Sequence, residues 1–554
     1  MLKIHNSEQY FSIIQHYTVI SKVDAFERLN IEINTEYMDS ARILWADDEI
    51  DLLKPHIIFL ESKGYQVVTS NNGDEAIDLV KEKSFDIVFL DEQMPGLSGI
   101  ETLQKIKILH PNLPVVMITK SEEERIMEDA IGSNIADYLI KPVKPNQILL
   151  CLKKNLDNKK LISVKTNFDY QQEFRNLGME MGSTYNSSGW IDIYRKLTGW
   201  DIKLGRSDDS GMQDVLAMQK EEANHAFSKF IEKNFVNWLQ DNRSERPVMS
   251  HTLLKDRVFP LLESNKPLFL VVIDNLRYDQ WKTLQPLMEE MYRVKKDELY
   301  YSILPTTTMY ARNAFFAGLM PSEIKKKYPK YWLEEDQEGS KNQFESELLG
   351  ENLRRHGLQM KYSYNKILNL GAAKKVLDNM SNLMQNQFNV IVYNFVDMLS
   401  HARTEMEIIR ELASDEAAYR SLTLSWFEHS PLYDMIRYIS DKGANLCITT
   451  DHGSVRVNNP VKVIGDKNTN PNLRYKVGKN LNYNAKEVLE VRNPDDVFLP
   501  KTSVSASYIF SQRNDFFVYP NNYNYYANYY KNTFQHGGIS MEEMLIPYIE
   551  LKAK

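Results

Sequence analysis

Leu268-Phe-Leu-Val-Val-Ile-Asp274 is an unbroken apolar run that stops at a carboxylate. Its length and composition are typical of a fully buried strand in a parallel sheet. Two later stretches repeat the design, Val390-Ile-Val-Tyr-Asn-Phe-Val-Asp397 and Asn445-Leu-Cys-Ile-Thr-Thr-Asp451. Parallel strands deliver the residues at their carboxyl ends to one edge of the sheet, so we expect the three aspartates to converge. The C-terminal half is therefore predicted to be an α/β domain with an acidic site.

Three histidines accompany these aspartates. His401 follows Asp397 by four residues, so both side chains face one ion if a helical turn follows the strand, and His452 is adjacent to Asp451. His536 precedes a Gly-Gly turn late in the chain. Carboxylate and imidazole ligands without cysteine suit Zn²⁺, with Mn²⁺ as the alternative. A site for two metal ions suits in-line displacement at phosphorus, so we interpret this half as a metallo-hydrolase.

The N-terminal part contains a second series of apolar strands that end in polar side chains. The strand-end residues are Asp47, Asp48, Asp91, Thr119 and Lys141. Clustered carboxylates repel one another unless a hard cation joins them, which predicts Mg²⁺ bound by Asp48, Asp91 and the backbone carbonyl of Gln93. A carboxylate can accept a phosphoryl group, with the metal and Lys141 neutralising its charge and Thr119 donating to an oxygen.

This N-terminal stretch, residues 41–158, resembles the receiver domain of bacterial response regulators. The resemblance implies a doubly wound parallel sheet with Asp91 as the phospho-acceptor. It makes Asp47 and Asp48 the acidic pair of the Mg²⁺ site, and it makes Thr119, Tyr138 and Lys141 the switch residues. It also implies a cis peptide bond before Pro142.

Residues 265–554 resemble the alkaline-phosphatase superfamily, and specifically its PglZ branch. The resemblance implies that Asp274, Thr308, Asp451 and His452 bind one metal ion. Asp397, His401 and His536 are then the ligands of the other. Leu304-Pro-Thr306-Thr307-Thr308 offers three hydroxyls, and the spacing to Gly318-Leu-Met-Pro321 favours Thr308 as the catalytic nucleophile.

The region between these two domains lacks the short apolar runs, bounded by turn residues, that indicate strands. From Met212 to Gln240 the apolar residues recur mostly every three or four positions, which predicts an amphipathic helix. We therefore predict an extension without assigned role over residues 1–37, a receiver over 38–158, a helical bundle over 159–262 and the PglZ-like domain over 263–554. The Tyr- and Asn-rich stretch 517–534 could stack nucleotide bases, but a packed strand and loop is favoured.

Composition narrows the function classes. The chain has 554 residues, a net charge of −8 and two cysteines, which excludes a disulfide framework or a cysteine metal cluster. Its apolar runs are too short to span a bilayer, so we expect a cytoplasmic protein without membrane insertion. No helix-turn-helix or basic recognition helix follows the receiver, which argues against a DNA-binding transcription factor.

The domain order as a whole resembles PorX-type response regulators associated with type IX secretion. The resemblance implies a sensor histidine kinase as phosphodonor and a sigma factor as a further partner. We expect a phosphorylation-dependent homodimer and a zinc phosphodiesterase that acts on a nucleotide or oligonucleotide substrate. The alternative is a response regulator whose metal domain only binds a ligand or partner.

Overall fold

The structure of the chain, a computed structural model, describes residues 41–111, 113–120, 135–152, 155, 158–184, 186–205, 210–240, 246–264, 266–406, 415–466, 469–503 and 505–554. The predicted extension over residues 1–37 lies outside these ranges. The chain divides into two compact units, Met1–Lys165 and Thr166–Lys554. The predicted α/β class is confirmed in both, since each is built on a sheet flanked by helices.

The first unit has a parallel sheet with the strand order β2-β1-β3-β4-β5. Its described elements are β1(Arg42–Ala46), α1(Lys54–Ser62), β2(Gln66–Ser70), α2(Gly73–Glu82), β3(Ile87–Asp91), α3(Gly99–Leu109), β4(Val115–Thr119), β5(Asp137–Ile140) and α4(Pro145–Leu152). Leu44 and Leu90 pack against α2 and α3, whereas Trp45 and Phe89 pack against α1 and α4. Both faces of the sheet are therefore covered, which explains why these strands read as continuous apolar runs.

The second unit has a mixed central sheet with the order β7-β18-β10-β6-β9-β8. These strands are β6(Leu268–Ile273), β7(Tyr292–Tyr301), β8(Tyr362–Ile367), β9(Phe388–Tyr393), β10(Asn445–Thr449) and β18(Leu545–Ala553). The strands β10, β6, β9 and β8 are parallel, and β18 runs antiparallel to both of its neighbours. The carboxyl ends of the predicted strands therefore lie at one edge.

Helices and smaller sheets surround this central sheet. The helices are α5(Asn158–Ser183), α6(Ser187–Leu204), α7(Ser210–Gln240), α8(Tyr278–Met291), α9(Asn313–Ala317), α10(Pro321–Lys327), α11(Glu345–Arg355), α12(Leu370–Asp378), α13(Met380–Leu383), α14(Phe395–Glu405), α15(Glu416–Glu428), α16(Pro431–Asp441), α17(Tyr523–Tyr530) and α18(Met541–Met544). The smaller strands are β11(Val455–Arg456), β12(Asn459–Lys462), β13(Tyr475–Gly478), β14(Val488–Val491), β15(Ser507–Ser511), β16(Asp515–Val518) and β17(Phe534–Gln535). Shorter helical turns of the second unit span Leu254–Val258, Phe259–Glu263, Thr308–Arg312, Pro329–Tyr331 and Pro494–Val497, and the first unit has one at Ile50–Leu53 among its described residues.

The predicted amphipathic helix is confirmed as α7, and its apolar side faces the α/β core. Phe227 and Trp238 of α7 place their rings 6.3 Å and 5.2 Å from the ring of Tyr301 on the edge strand β7. Trp190 of α6 joins the same buried cluster. Within the second unit these helices therefore share one hydrophobic core with the central sheet.

The aromatic stretch over residues 517–534 divides into two parts. Phe517 and Val518 belong to β16 and are buried, as expected for a packed strand. The following α17 replaces the predicted loop, and its Tyr525 and Tyr526 are exposed.

Candidate functional site

The first group of candidate ligands is completely buried at the carboxyl edge of the central sheet. Asp274 directly follows β6, and Asp451 and His452 follow β10 by two and three residues. Asp274 Oδ1 and Asp451 Oδ2 each lie 3.7 Å from His452 Nε2. Ligand atoms of the three side chains lie within 4.8 Å of one another, close enough to share one metal ion. We call these three residues the inner group.

An arginine that sequence reasoning missed holds the inner group in place. Arg312 Nη1 lies 2.6 Å from Asp274 Oδ2 and 3.8 Å from Asp451 Oδ2, and its Nε donates to Glu345 at 2.6 Å. It is four residues beyond Thr308 on one helical turn, and that spacing was its only sequence signal. The guanidinium is fully buried between carboxylates, so it orients ligands.

The second group of candidate ligands is more open. Asp397 lies in the first turn of α14 rather than at the strand end, because β9 stops at Tyr393. The helical spacing then brings His401 Nε2 within 3.5 Å of Asp397 Oδ2, and His536 Nε2 lies 3.7 Å from Asp397 Oδ1. The His401 side chain is 64% exposed. We call Asp397, His401 and His536 the outer group; solvent reaches the site through it.

Backbone contacts orient two of the imidazoles. His452 Nδ1 lies 3.1 Å from the Gly453 carbonyl oxygen, and His536 Nδ1 lies 3.2 Å from that of Thr306. Because a carbonyl oxygen only accepts, each Nδ1 must carry the proton and each Nε2 presents its lone pair to the site. The two rings stack with their centroids 4.2 Å apart, which places the inner and outer groups side by side. Metal-ligating histidines commonly donate the N–H of the other ring nitrogen to a carbonyl oxygen, as His452 and His536 do here.

Only one of the three candidate threonine hydroxyls faces the inner group. Thr308 Oγ1 lies 3.1 Å from His452 Nε2 and 3.5 Å from Asp274 Oδ1. Thr306 Oγ1 instead donates to the Gly538 carbonyl oxygen and accepts from Gly537 N. Thr307 Oγ1 is buried and has no hydrogen-bond partner within the described part of the chain. The geometry therefore supports the choice of Thr308.

The charge balance of the site favours a cation. Burial and the neighbouring Asp274 carboxylate raise the pKa of Asp451 to about 6 and also raise that of Asp397. Burial opposes ionisation of Asp274 too, but the Arg312 guanidinium outweighs it and lowers the pKa of Asp274. Asp451 Oδ2 has no hydrogen-bond partner among the described residues. The donor set and this buried oxygen fit a divalent metal ion.

The first unit brings the predicted phosphorylation residues together. Lys141 Nζ lies 2.9 Å from Asp47 Oδ2 and 3.0 Å from Asp91 Oδ1. Burial alone would lower the pKa of Lys141, but the two carboxylates raise it. Burial raises the pKa of Asp91 despite the lysine. Asp48 is exposed, and its carboxylate, with those of Asp47 and Asp91, supplies ligand atoms within 4.8 Å of one another.

The remaining receiver residues lie on the expected strands or just after them. Gln93 follows β3 by two residues, and Thr119 is the buried last residue of β4. Tyr138, in β5, is 43% exposed. The predicted cis peptide bond between Lys141 and Pro142 is confirmed.

Three family models match the chain in the order of the domains. The receiver model, "Response regulator receiver domain", matches residues 43–153, and the "PorX response regulator linker domain" matches residues 160–239. The "BREX system PglZ alkaline phosphatase-like domain" matches residues 253–551, more than half of the chain. Within the described residues, every helix is too short or too polar to cross a membrane.

Similar proteins match the receiver part. The alginate biosynthesis transcriptional regulatory protein AlgB of Pseudomonas syringae pv. tomato is 35% identical over 123 residues, which cover 22% of this chain and 28% of AlgB. The transcriptional regulatory protein ZraR of Klebsiella oxytoca is 37% identical over 119 residues, covering 22% of this chain and 27% of ZraR. The chain thus spans under a third of the length of either relative. A receiver domain structure from Clostridium thermocellum is 31% identical with a TM-score of 0.21, covering 22% of this chain and 98% of that one.

The family matches agree with the two sites that the structure assembles. A receiver implies a phosphodonor such as a sensor histidine kinase, and both receiver and alkaline phosphatase-like domains generally use metal ions. The chain therefore belongs to the PglZ alkaline phosphatase-like domain family and is a PorX-type two-component response regulator with receiver, linker and PglZ effector domains.

Proposed function

We propose that the effector domain is a zinc-dependent phosphodiesterase that acts on a nucleotide-type phosphate ester. The observation that carries this proposal is the position of Thr308 Oγ1, 3.1 Å from His452 Nε2, beside two adjacent groups of metal-ligand type. A merely structural metal site has no need of a hydroxyl between its ligands. The receiver domain would control this activity through phosphorylation of Asp91.

Each group of residues has a role in the proposed reaction. The inner group with Thr308 would hold one zinc ion, and the outer group would hold the other. When bound, the two ions would lower the pKa of the hydroxyl and stabilise charge on the leaving oxygen. Thr308, its hydroxyl proton released to solvent, would attack the phosphorus atom and break one of the two ester bonds, and the expelled alkoxide would take up a proton from water and leave as an alcohol. Arg312 would keep Asp274 and Asp451 in place during this step. Water would then hydrolyse the phosphothreonine ester and release a phosphomonoester.

The exposed His401 of the outer group supports an extended substrate. His401 is 64% exposed, whereas the inner group is buried, so the scissile ester would enter from the outer side. A diester carries an organic group on each side of the phosphorus and can extend one of them into solvent there, which favours a diester over a monoester. The negative net charge of −8 argues against binding nucleic acid over the whole surface.

The physiological proposal follows from the family. We propose that a sensor histidine kinase phosphorylates Asp91 and that the protein regulates type IX secretion, with a sigma factor as a further partner. The match of residues 160–239 to the PorX linker supports this assignment. An Asp91→Ala strain that secretes type IX cargo at the parental level would contradict it.

The enzymatic proposal is tested with the full-length protein loaded with zinc. It is incubated with p-nitrophenyl phosphate, bis-p-nitrophenyl phosphate and short linear and cyclic oligonucleotides. We expect turnover of the diesters and the oligonucleotides, abolished by a chelator and restored by zinc. Stoichiometric zinc binding without turnover of any of these esters would favour the alternative, a metal domain that only binds a ligand or partner.

A further inference from the structure

We propose that Asn224, in the linker helix α7, is a positioning residue for the metal site of the effector domain. The side chain is 1% exposed and contacts the short helix α18. Its Oδ1 accepts from Met541 N at 2.7 Å, and its Nδ2 donates to Glu542 Oε2 at 2.9 Å. The inference rests on the proposed metal site and names a residue outside the effector domain that shapes it.

The helix α18 depends on outside contacts for its position. It spans four residues, Met541–Met544, far fewer than an isolated helix needs for stability. Ser540 caps the amide of Glu543, which leaves the amide of Met541 for another acceptor. Asn224 supplies that acceptor from α7. An asparagine amide is suited to this place because it offers one acceptor and one donor to an N–H and a carboxylate.

Glu543, the residue after Glu542, supports the two loops that carry His452 and His536. Glu543 Oε1 accepts from Gly538 N at 2.9 Å, and the backbone oxygen of Glu543 accepts from Gly453 N at 3.1 Å. Gly538 lies two residues after His536, and Gly453 follows His452. A single short helix therefore supports a ligand of the outer group and a ligand of the inner group.

These loops have little room to adjust independently. A Cβ atom at Gly453 would lie 2.0 Å from the Glu542 oxygen, so the backbone packs directly on α18. The buried Arg474 donates to both oxygens of the Glu543 carboxylate, at 3.1 Å and 2.6 Å. A displacement of α18 would therefore move His452 and His536 together. Through its two hydrogen bonds to α18, Asn224 of the linker helix limits that displacement.

The test uses the full chain and reverses the direction of the hydrogen bond between Asn224 and Glu542. Asn224→Asp keeps the acceptor for Met541 N but sets a carboxylate against Glu542. Lys220, 3.8 Å from Glu542, offsets only part of this repulsion. Adding Glu542→Gln lets the new glutamine donate to the introduced carboxylate, which restores the bond in the opposite direction. Asn234→Asp is the matched control, because Asn234 lies on the same helix and donates to the Phe230 carbonyl oxygen within it.

Two readouts follow the change. Zinc affinity is measured by competition with a chelator, and amide hydrogen exchange is measured on a peptide covering residues 534–540 in the metal-free protein. We expect Asn224→Asp to weaken zinc binding about tenfold and to speed exchange of the peptide, as for other residues that support ligands indirectly. Glu542→Gln in the same chain should restore both to within about twofold of the Glu542→Gln single variant, and Asn234→Asp should change neither.

The outcomes separate this inference from the proposed function. Parental affinity and exchange in Asn224→Asp, the same losses in Asn234→Asp, or a loss that Glu542→Gln does not rescue would each overturn the positioning role. A parent chain that binds no zinc would contradict the proposed enzyme instead. The exchange readout would still decide the role of Asn224 in that case.

Discussion

The receiver site and the effector site lie at the corresponding edge of two different sheets, but the two sites have different roles. Both place carboxylates at the carboxyl ends of parallel strands. In the receiver, Lys141 contacts Asp47 and Asp91 with a side chain that is 15% exposed. In the effector, Arg312 is 1% exposed and joins Asp274 to Glu345.

The choice of cation matches what each site does. A lysine is a compact point charge on a flexible stem, so it can follow an oxygen from a carboxylate to a phosphoryl group. An arginine forms several directed hydrogen bonds in one plane and fixes the geometry of the groups around it. We therefore expect the receiver site to tolerate a change of charge, and we expect the effector site to keep its residues in a fixed geometry.

The largest expected effect comes from removing two of the three inner-group side chains. Asp451→Ala combined with His452→Ala should lose about one equivalent of zinc and all measurable phosphodiesterase turnover, because two of the three inner-group side chains are gone. Elemental mass spectrometry and the diester assay measure the two losses. Asp91→Ala, which alters only the receiver site, should retain the full zinc content. Full zinc occupancy in the double alanine variant would remove the inner group from the assignment.

The next effect separates the nucleophile from the ligands. Thr308→Val removes the hydroxyl at nearly constant volume, so turnover should fall by about a thousandfold or more while zinc binding drops only modestly. Thr307→Val is the matched control, since Thr307 Oγ1 is buried and has no hydrogen-bond partner in the described part of the chain. Its turnover should stay within about threefold of the parent, well below the effect of losing a nucleophile. Equal losses in the two variants would show that the segment acts through its backbone.

A third prediction contrasts two lysines. Carboxylates raise the pKa of Lys141, whereas burial lowers the pKa of Lys476 to about 7 although Glu335 opposes it. Lys476 Nζ donates to the Asn470 carbonyl oxygen at 3.0 Å and lies 4.4 Å from the Tyr519 ring centroid. Between about pH 7 and the ordinary lysine pKa of about 10.4, the unfolded chain therefore binds a proton that the folded chain lacks.

The sign of the effect follows from that difference in bound protons. The free energy of unfolding of the effector should rise with pH across this window by up to about 1.4 kcal/mol per pH unit, a tenfold change in the unfolding equilibrium. Lys476→Met should flatten the rise, as measured by denaturant titration at several pH values. The exposed Lys479, changed to Met, should leave the slope unchanged. A parental slope in Lys476→Met would show that this lysine stays charged when folded.

Sequence patterns predicted the parts of the sites that depend on strand ends. Asp274, Asp451 and Asp91 each follow or end a buried apolar strand, so chain position alone placed them at a sheet edge. The spacing of Asp397 and His401 predicted their pairing, although the strand before them ends earlier than expected. The strand β2 was missed because three of its five residues, Gln66, Thr69 and Ser70, are polar.

Residues that act through tertiary contacts could not be found in this way. Arg312 meets Asp274 and Glu345 across 38 and 33 residues of chain. Asn224 meets Glu542 across 318 residues, and an asparagine within an amphipathic helix carries no pattern that points to such a partner. The sharing of one core by α7 and β7 likewise depends on packing between distant segments. Periodicity reports which face of an element is buried and not what buries it.

The smallest expected effect is the response of the receiver to negative charge added at Asp91. Beryllofluoride with Mg²⁺ mimics the phosphoryl group on Asp91, and its added charge should draw Thr119 and Lys141 toward it. Tyr138, which is 43% exposed, can then pack inward and alter the face formed by β5 and its flanking helices. A symmetric contact between two such faces is the commonest route to a dimer, so we expect the mass to double. Light scattering on a sizing column should show this doubling for the parent and not for Asp91→Ala. Equal masses with and without the mimic would mean that the receiver signals within one chain, and the flexible Lys141 would then serve a switch that does not require pairing.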